Sequence, residues 1–231
     1  MTSNDPVDEP ADDAPSRREL AVARSLDPAR ARAEKRVQRF LDAALELMET
    51  SPGKEFTVQE VVERSGQSLR SFYQYFAGKH ELLLALFEES VRWSAEKLQA
   101  AVDEETQPLE RLHRFAVTHF EICRPRPHGS DPRDFSPVAM AEFAQQILTE
   151  RPKEASHAFV PVVTLFEELL ADAAEAGVIR PVPDTRRLAG VLLQAIMFNA
   201  FAATISGTPV GPDDDAAEQL WDLILHGIAA D

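Results

Sequence analysis

An all-α fold is expected, with an N-terminal three-helix unit followed by a larger helical domain, and three observations carry that expectation. Apolar residues recur at helical spacing in one segment after another. Two short helical segments meet at a single glycine, each with its own start signal. No run of the 231 residues shows the alternation of a half-buried strand, and no glycine-rich phosphate loop occurs. The expected boundaries are an acidic-then-basic disordered arm over 1–27, a first domain over 28–82 and a second over 83–231.

Residues 1–27 are rich in Pro, Asp and Ala without apolar periodicity, hence the expectation of disorder. Asp27-Pro28 has the form of an N-cap followed by Pro at the first helical position. Downstream, Phe40, Ala43, Ala44, Leu47 and Met48 define one buried face of a first helix, which Ser51-Pro52-Gly53 ends. Thr57-Val58-Gln59-Glu60 is a capping box, with Phe56 and Val61 at the positions of a hydrophobic staple. Val58, Val61 and Val62 face inward on this second helix, and Gly66 suits the left-handed residue that closes it. Ser68 caps a third helix to Phe76, with Leu69, Phe72 and Phe76 inside and Arg70, Ser71, Tyr73, Gln74 and Tyr75 outside. Ala77-Gly78 precedes a long helix from His80 to Val102. Further helices are expected over 107–124, 135–150, 153–176, 184–206 and 213–229, with breaks at Pro- or Gly-containing segments between them.

Two short helices around a glycine turn, preceded by an amphipathic helix, make a helix-turn-helix. The net charge of −15 argues against a nucleic-acid partner when taken whole, but its distribution reverses the argument. Residues 1–16 carry five acids and no base, 17–79 carry twelve Lys/Arg against nine Asp/Glu, and 80–231 carry twelve against twenty-five. No acid stands between Arg64 and His80, where an ordinary solvated helix carries Glu. One cysteine, Cys123, excludes an intramolecular disulfide and a thiolate metal site, and it reads as a small buried hydrophobe. The absence of an apolar leader points to the cytoplasm.

From Arg39 to Phe87 the sequence resembles the TetR family of bacterial repressors. Arg39 to Met48 is similar to that family's first helix, Thr57 to Gly66 to its second, and Ser68 to Leu83 to its signature of an aromatic-rich recognition helix followed by a Lys and a Leu pair. Departures stand at Val62 and Ser65, where Ala is common, at Gln67, where a small apolar residue is usual, and at Arg70, often Gly. The resemblance implies a homodimer that binds double-stranded DNA at a palindromic operator, with Tyr73, Tyr75, Lys79 and Thr57 on phosphates. It puts Ser68, Leu69, Arg70, Ser71 and Gln74 near base edges and Arg36, with Arg30, Arg32 and Lys35, along the backbone. Arg70 has the chemistry to read guanine through O6 and N7.

Leu188 to Ile205 is apolar nearly all round, which calls for burial on two sides, one in the protomer and one in a partner subunit. Gly190, Gln194 and Asn199 within it argue against a membrane span. The resemblance implies a four-helix dimer interface that includes Leu188, Val191, Ala195 and Phe198 with Leu220, Trp221 and Ile224. It also implies an effector pocket in the second domain. The candidates are Trp93, Phe115, His119 and Phe120, then Met140, Phe143 and Gln146, then Phe159, Phe166, Met197 and Asn199. Their apolar character points to a hydrophobic or amphipathic small molecule, while plain core packing explains the same pattern. No cofactor and no catalytic constellation is expected, so the chain reads as a regulator and not an enzyme. The competing reading is an all-helical carboxylate/histidine metalloprotein or enzyme, because Glu110-x-x-His113 and Glu154-x-x-His157 have the spacing found in helical metal bundles.

Overall fold

The computed structural model describes residues 17–50, 54–124, 152–205 and 215–228. Eight helices run through these residues: α1 (Arg17–Thr50), α2 (Val58–Ser65), α3 (Leu69–Tyr75), α4 (Lys79–Asp103), α5 (Pro108–Cys123), α6 (Pro152–Glu175), α7 (Thr185–Ile205) and α8 (Ala216–Ile228). Among the described residues there is no strand, and the all-α expectation holds. The helix expected over 135–150 lies outside the described residues.

The first difference from the sequence-based expectation is the start of α1. The helix begins at Arg17, so Asp27-Pro28 is not its N-terminus and Pro28 lies inside it. Residues 17–26 are mostly Arg, Ala, Leu and Glu, strong helix formers that carry the helix across the proline. Pro28 still removes one backbone bond, at a cost of about 3 kcal/mol for a helix interior. The Pro28 carbonyl accepts from Arg32 Nε at 2.9 Å.

Local signals fix the next two helices. Glu60 N donates to Thr57 Oγ1 at 3.3 Å while Thr57 N donates to Glu60 Oε2 at 2.7 Å, which completes the capping box. Gly66 closes α2 at φ 64°, with Gly66 N donating to the Glu63 carbonyl and Gln67 N to that of Val62. A second helix end of the same kind occurs at Gly177, φ 71°, after α6.

A cluster of aromatic edges holds the first three helices together. Phe40 of α1 meets Phe72 at 5.4 Å and Phe76 at 6.1 Å between centroids, both nearly perpendicular. All three rings are buried, as are Phe56, Val61 and Val62. The long helix α4 then continues the core into the second domain, where it packs on α5 and α6. There Phe115 stacks on Phe166 at 4.3 Å and Phe87 meets Phe159 edge-on at 5.5 Å. Helix α7 rests on α5 and α6, and α8 on α5.

Candidate nucleic-acid interface and effector domain

The face that α3 turns outward follows from its caps and its core. Ser68 Oγ accepts from Ser71 N at 3.1 Å and starts the helix, while Phe72 and Phe76 anchor its inner side. Leu69, Arg70, Tyr73 and Gln74 are left exposed, at spacings that put them on one face. Leu69, expected inside, is 43% exposed, because a seven-residue helix with two phenylalanines already inward has no room for a third anchor at its first turn. Tyr73 is 57% exposed with its ring edge-on to Phe72 at 5.4 Å, so it is an outward side chain that Phe72 orients and not a core aromatic. Tyr75 is half-buried against the core. The Ser71 hydroxyl is covered and has no hydrogen-bond partner, which removes it from the outward surface.

Beside this face lies a second small constellation. Lys79, the first residue of α4, holds its Nζ 4.6 Å above the Phe56 ring, one residue before the α2 cap Thr57. Hydrogen bonds from Thr57 hold the Glu60 carboxyl below its usual range, with the Lys79 charge contributing in the same direction. Thr57 and Lys79, both expected on phosphate, are thus brought to one spot. Gln67, a departure from the family pattern, donates its side-chain amide to the Arg36 carbonyl at 2.8 Å. That bond ties the turn before α3 to the exposed, basic part of α1, a link that spacing alone does not reveal. Arg64 pairs with Glu46 at 2.6 Å and braces α2 on α1.

In the second domain, the expected pocket residues divide. Phe115, Phe120, Phe166 and Trp93 are buried in the core, and Phe159 and Met197 are half-buried. Asn199 is exposed and donates to the Ala195 carbonyl of its own helix at 2.8 Å, so it does not face the core. Met140, Phe143 and Gln146 lie outside the described residues. His119 is buried between Phe115, 5.8 Å away, and Cys123, whose Sγ is 3.9 Å from Nε2. Its Nδ1 is covered without a partner, and burial pushes the imidazole down to about 4. Burial likewise pushes the Cys123 thiol up to about 12, which keeps it protonated and unreactive as a nucleophile. An open groove between α4 and α6, lined by Ala95, Gln99, Ala100, Pro161 and Leu165, contains none of the expected pocket side chains.

The Glu-x-x-His pairs do not converge. His113 Nε2 lies 2.7 Å from Glu218 Oε2 of α8 and its ring contacts Trp221, whereas His157 is exposed on α6. No three His, Cys, Asp or Glu side chains gather for a metal among the described residues.

The terminal helices are two-sided. Ala189, Leu192, Leu193, Ile196 and Ala200 of α7 are buried in the protomer, while Val191 and Phe198 are 55% and 72% exposed. On α8, Leu223 is 72% exposed, but Trp221 and Ile224, expected at the interface, turn into the protomer's own core. The exposed side of α8 carries Glu218, Gln219, Asp222 and His226 beside Leu223, so spacing gives the apolar face and packing decides that it covers the protomer's own core. Leu188, Ala195 and Leu220 are half-buried. Among the described residues, no helix is long and apolar enough to cross a membrane.

Residues 40–86 match the family model described as "Bacterial regulatory proteins, tetR family". The fatty acid metabolism regulator protein of Bacillus subtilis (strain 168) is 20% identical over 167 residues, which span 72% of this chain and 80% of its own. The structure of the fatty acid degradation regulator FadR from Bacillus halodurans superposes with a TM-score of 0.64 at 19% identity, covering 82% of this chain and 94% of that one. The transcriptional regulator FadR from Bacillus subtilis, solved in complex with stearoyl-CoA, superposes with a TM-score of 0.64 at 17% identity, covering 83% and 98%. At these identities the structural likeness establishes the fold.

Proposed function

We propose that this chain, a DNA-binding transcriptional regulator of the TetR family by its residues 40–86, acts as a homodimeric repressor that leaves a palindromic operator when an amphipathic small molecule enters its second domain. The observation that carries the reading is the outward face of α3. Arg70 and Gln74 present hydrogen-bond donors, Leu69 presents an apolar contact suited to a thymine methyl, and no acid interrupts them. Thr57 and Tyr73 take phosphates, with Lys79 beside the N-terminal amides of α4.

Dimerisation rests on Val191, Phe198 and Leu223, large apolar side chains left exposed on the two terminal helices. A two-fold pair sets two α3 helices about one DNA turn apart, which a palindrome matches. The effector site draws on the aromatic core around Phe115, Phe166 and the buried His119. Stearoyl-CoA, carried by a solved relative, is the first molecule to test, since it joins a long apolar chain to a polar head. Release requires that the effector bind the DNA-incompetent arrangement more tightly than the competent one.

The test is a mobility-shift titration of the purified protein on DNA flanking its own coding region, repeated with stearoyl-CoA. A saturable shift that resists competitor DNA and is reversed by the acyl-CoA is expected. A specific shift untouched by it would remove acyl-CoA as effector and leave the DNA reading standing.

A further inference from the structure

Gln67 lies in the turn between α2 and α3, and two different helices engage it. Its backbone N–H donates to the Val62 carbonyl at 3.3 Å, as part of the close of α2. Its side-chain amide reaches 31 residues back along the chain and donates to the Arg36 carbonyl of α1 at 2.8 Å. The side chain is half-buried between two exposed neighbours, Gly66 and Ser68. Helix α1 thereby holds α3 at two points. Phe40 meets Phe72 at 5.4 Å and Phe76 at 6.1 Å. One turn earlier on α1, the Arg36 carbonyl takes the residue that precedes the Ser68 cap. The two attachments differ in kind. Apolar burial is non-directional and tolerates a small rotation, whereas an amide-to-carbonyl bond has a preferred distance and angle. Phe40 fixes where α3 lies, and a directional bond at the start of α3 fixes its tilt. The Arg64–Glu46 pair braces α2 on α1 and does not duplicate that bond.

We propose that Gln67 is a positioning residue for sequence reading: its bond to α1 sets the tilt at which α3 presents Arg70 and Gln74 to base edges. The proposal rests on the DNA-binding reading above and assigns specificity to a side chain whose amide is turned to α1 and not to DNA. The lever is short but sufficient. The seven residues of α3 make a helix about 10 Å long, so a tilt of about 10° moves its far end by about 2 Å. Contacts to base edges need their groups held within about 0.5 Å. Attraction between basic side chains and phosphates falls off slowly with distance and survives such a shift. Loss of the bond therefore costs discrimination between sequences before it costs attraction to DNA.

The experiment uses the full-length chain and Gln67→Met, which keeps the length of the side chain and removes the donor, with Arg70→Ala and the double variant for comparison. Each is titrated on the operator that wild type selects, on single-base variants of one half-site, and on random-sequence duplex. Gln67→Met is expected to bind the operator about tenfold more weakly and to lose its preference at several base pairs together. It should bind random duplex as wild type does, with the same salt dependence, and unfold within a few degrees of wild type. Arg70→Ala should lose preference at one base pair. In the double variant the added effect of Arg70→Ala at that base pair should shrink, because a mis-set helix no longer delivers the guanidinium. Unchanged operator preference in Gln67→Met, or an equal loss on operator and random duplex, would overturn the positioning role and leave the operator reading intact. A variant that fails to fold would overturn it as well, since the bond would then hold the motif together instead of aiming it. Failure of wild type to select any operator would remove the regulator reading and this role with it.

Discussion

Arg70 stands on the exposed face of α3 with no acid near it in sequence, and in the proposed function its guanidinium has the chemistry to form a bidentate pair with guanine. Arg70→Ala is expected to weaken operator binding by about 1–3 kcal/mol and to relax the preference at one base pair per half-site. Competition with single-base operator variants checks both parts. Gly66 illustrates a different kind of constraint. A Cβ added there meets nothing within 4 Å, so the cost of Gly66→Ala is the left-handed backbone alone. A loss of about 1–2 kcal/mol in chemical denaturation is expected, with the shape of the DNA-binding isotherm retained at low temperature. His119 makes a third, pH-dependent prediction. Its folded value near 4 lies below the unfolded 6.5, so between these the unfolded chain binds a proton that the folded chain refuses. The stability tied to the neutral ring is complete above pH 6.5 and drains away as pH falls toward 4. Wild type should lose roughly 1.5 kcal/mol more than His119→Leu between about pH 6.5 and 5, as read by urea unfolding at both values. Matched losses would assign the acid sensitivity to other groups.

Helix ends that are written locally are legible in the sequence. The capping box at Thr57, the glycine at 66 and the Ser68 cap each depend on a few adjacent residues, and the structure has all three. What depends on distant packing is not legible. The inside and outside of α3 cannot be separated at Leu69, because seven residues give too few turns to fix a face. On α8, spacing groups Leu220, Trp221 and Ile224 on one apolar face, and only the position of α5 decides that this face packs on the protomer, with Trp221 against His113, and not on a partner subunit. The start of α1 is hidden for a third reason. Asp27-Pro28 imitates a cap, and helix propensity upstream overrides it. The corrected α8 face sharpens a prediction about assembly. Phe198→Asp with Leu223→Asp should turn the proposed dimer into a folded monomer in sedimentation. It should also lower affinity for a full palindrome by well over tenfold while leaving single half-site binding in place.

Across the whole molecule, charge and core divide the labour. Acids dominate residues 80–231 and discourage indiscriminate contact with nucleic acid, while the basic surplus is confined to residues 17–79 at the end that carries α3. One continuous core, from Phe40 through α4 to Phe115 and Phe166, mechanically joins the two domains. Helix α4 starts at Lys79 beside the Thr57 cap and packs along α5, so the proposed effector response would have to act through a helix that also carries the start of the reading unit. The DNA-binding half of this arrangement is readable because its residues lie close together in sequence. The effector half is not, since aromatic residues at helical spacing serve core and pocket alike. The central claim is tested most directly by selecting binding sites from random duplex DNA with the purified full-length chain. The account predicts enrichment of a palindrome whose half-sites are about one helical turn apart, with Arg70→Ala losing discrimination at one position in each half. A selection that returns no enriched sequence would contradict it.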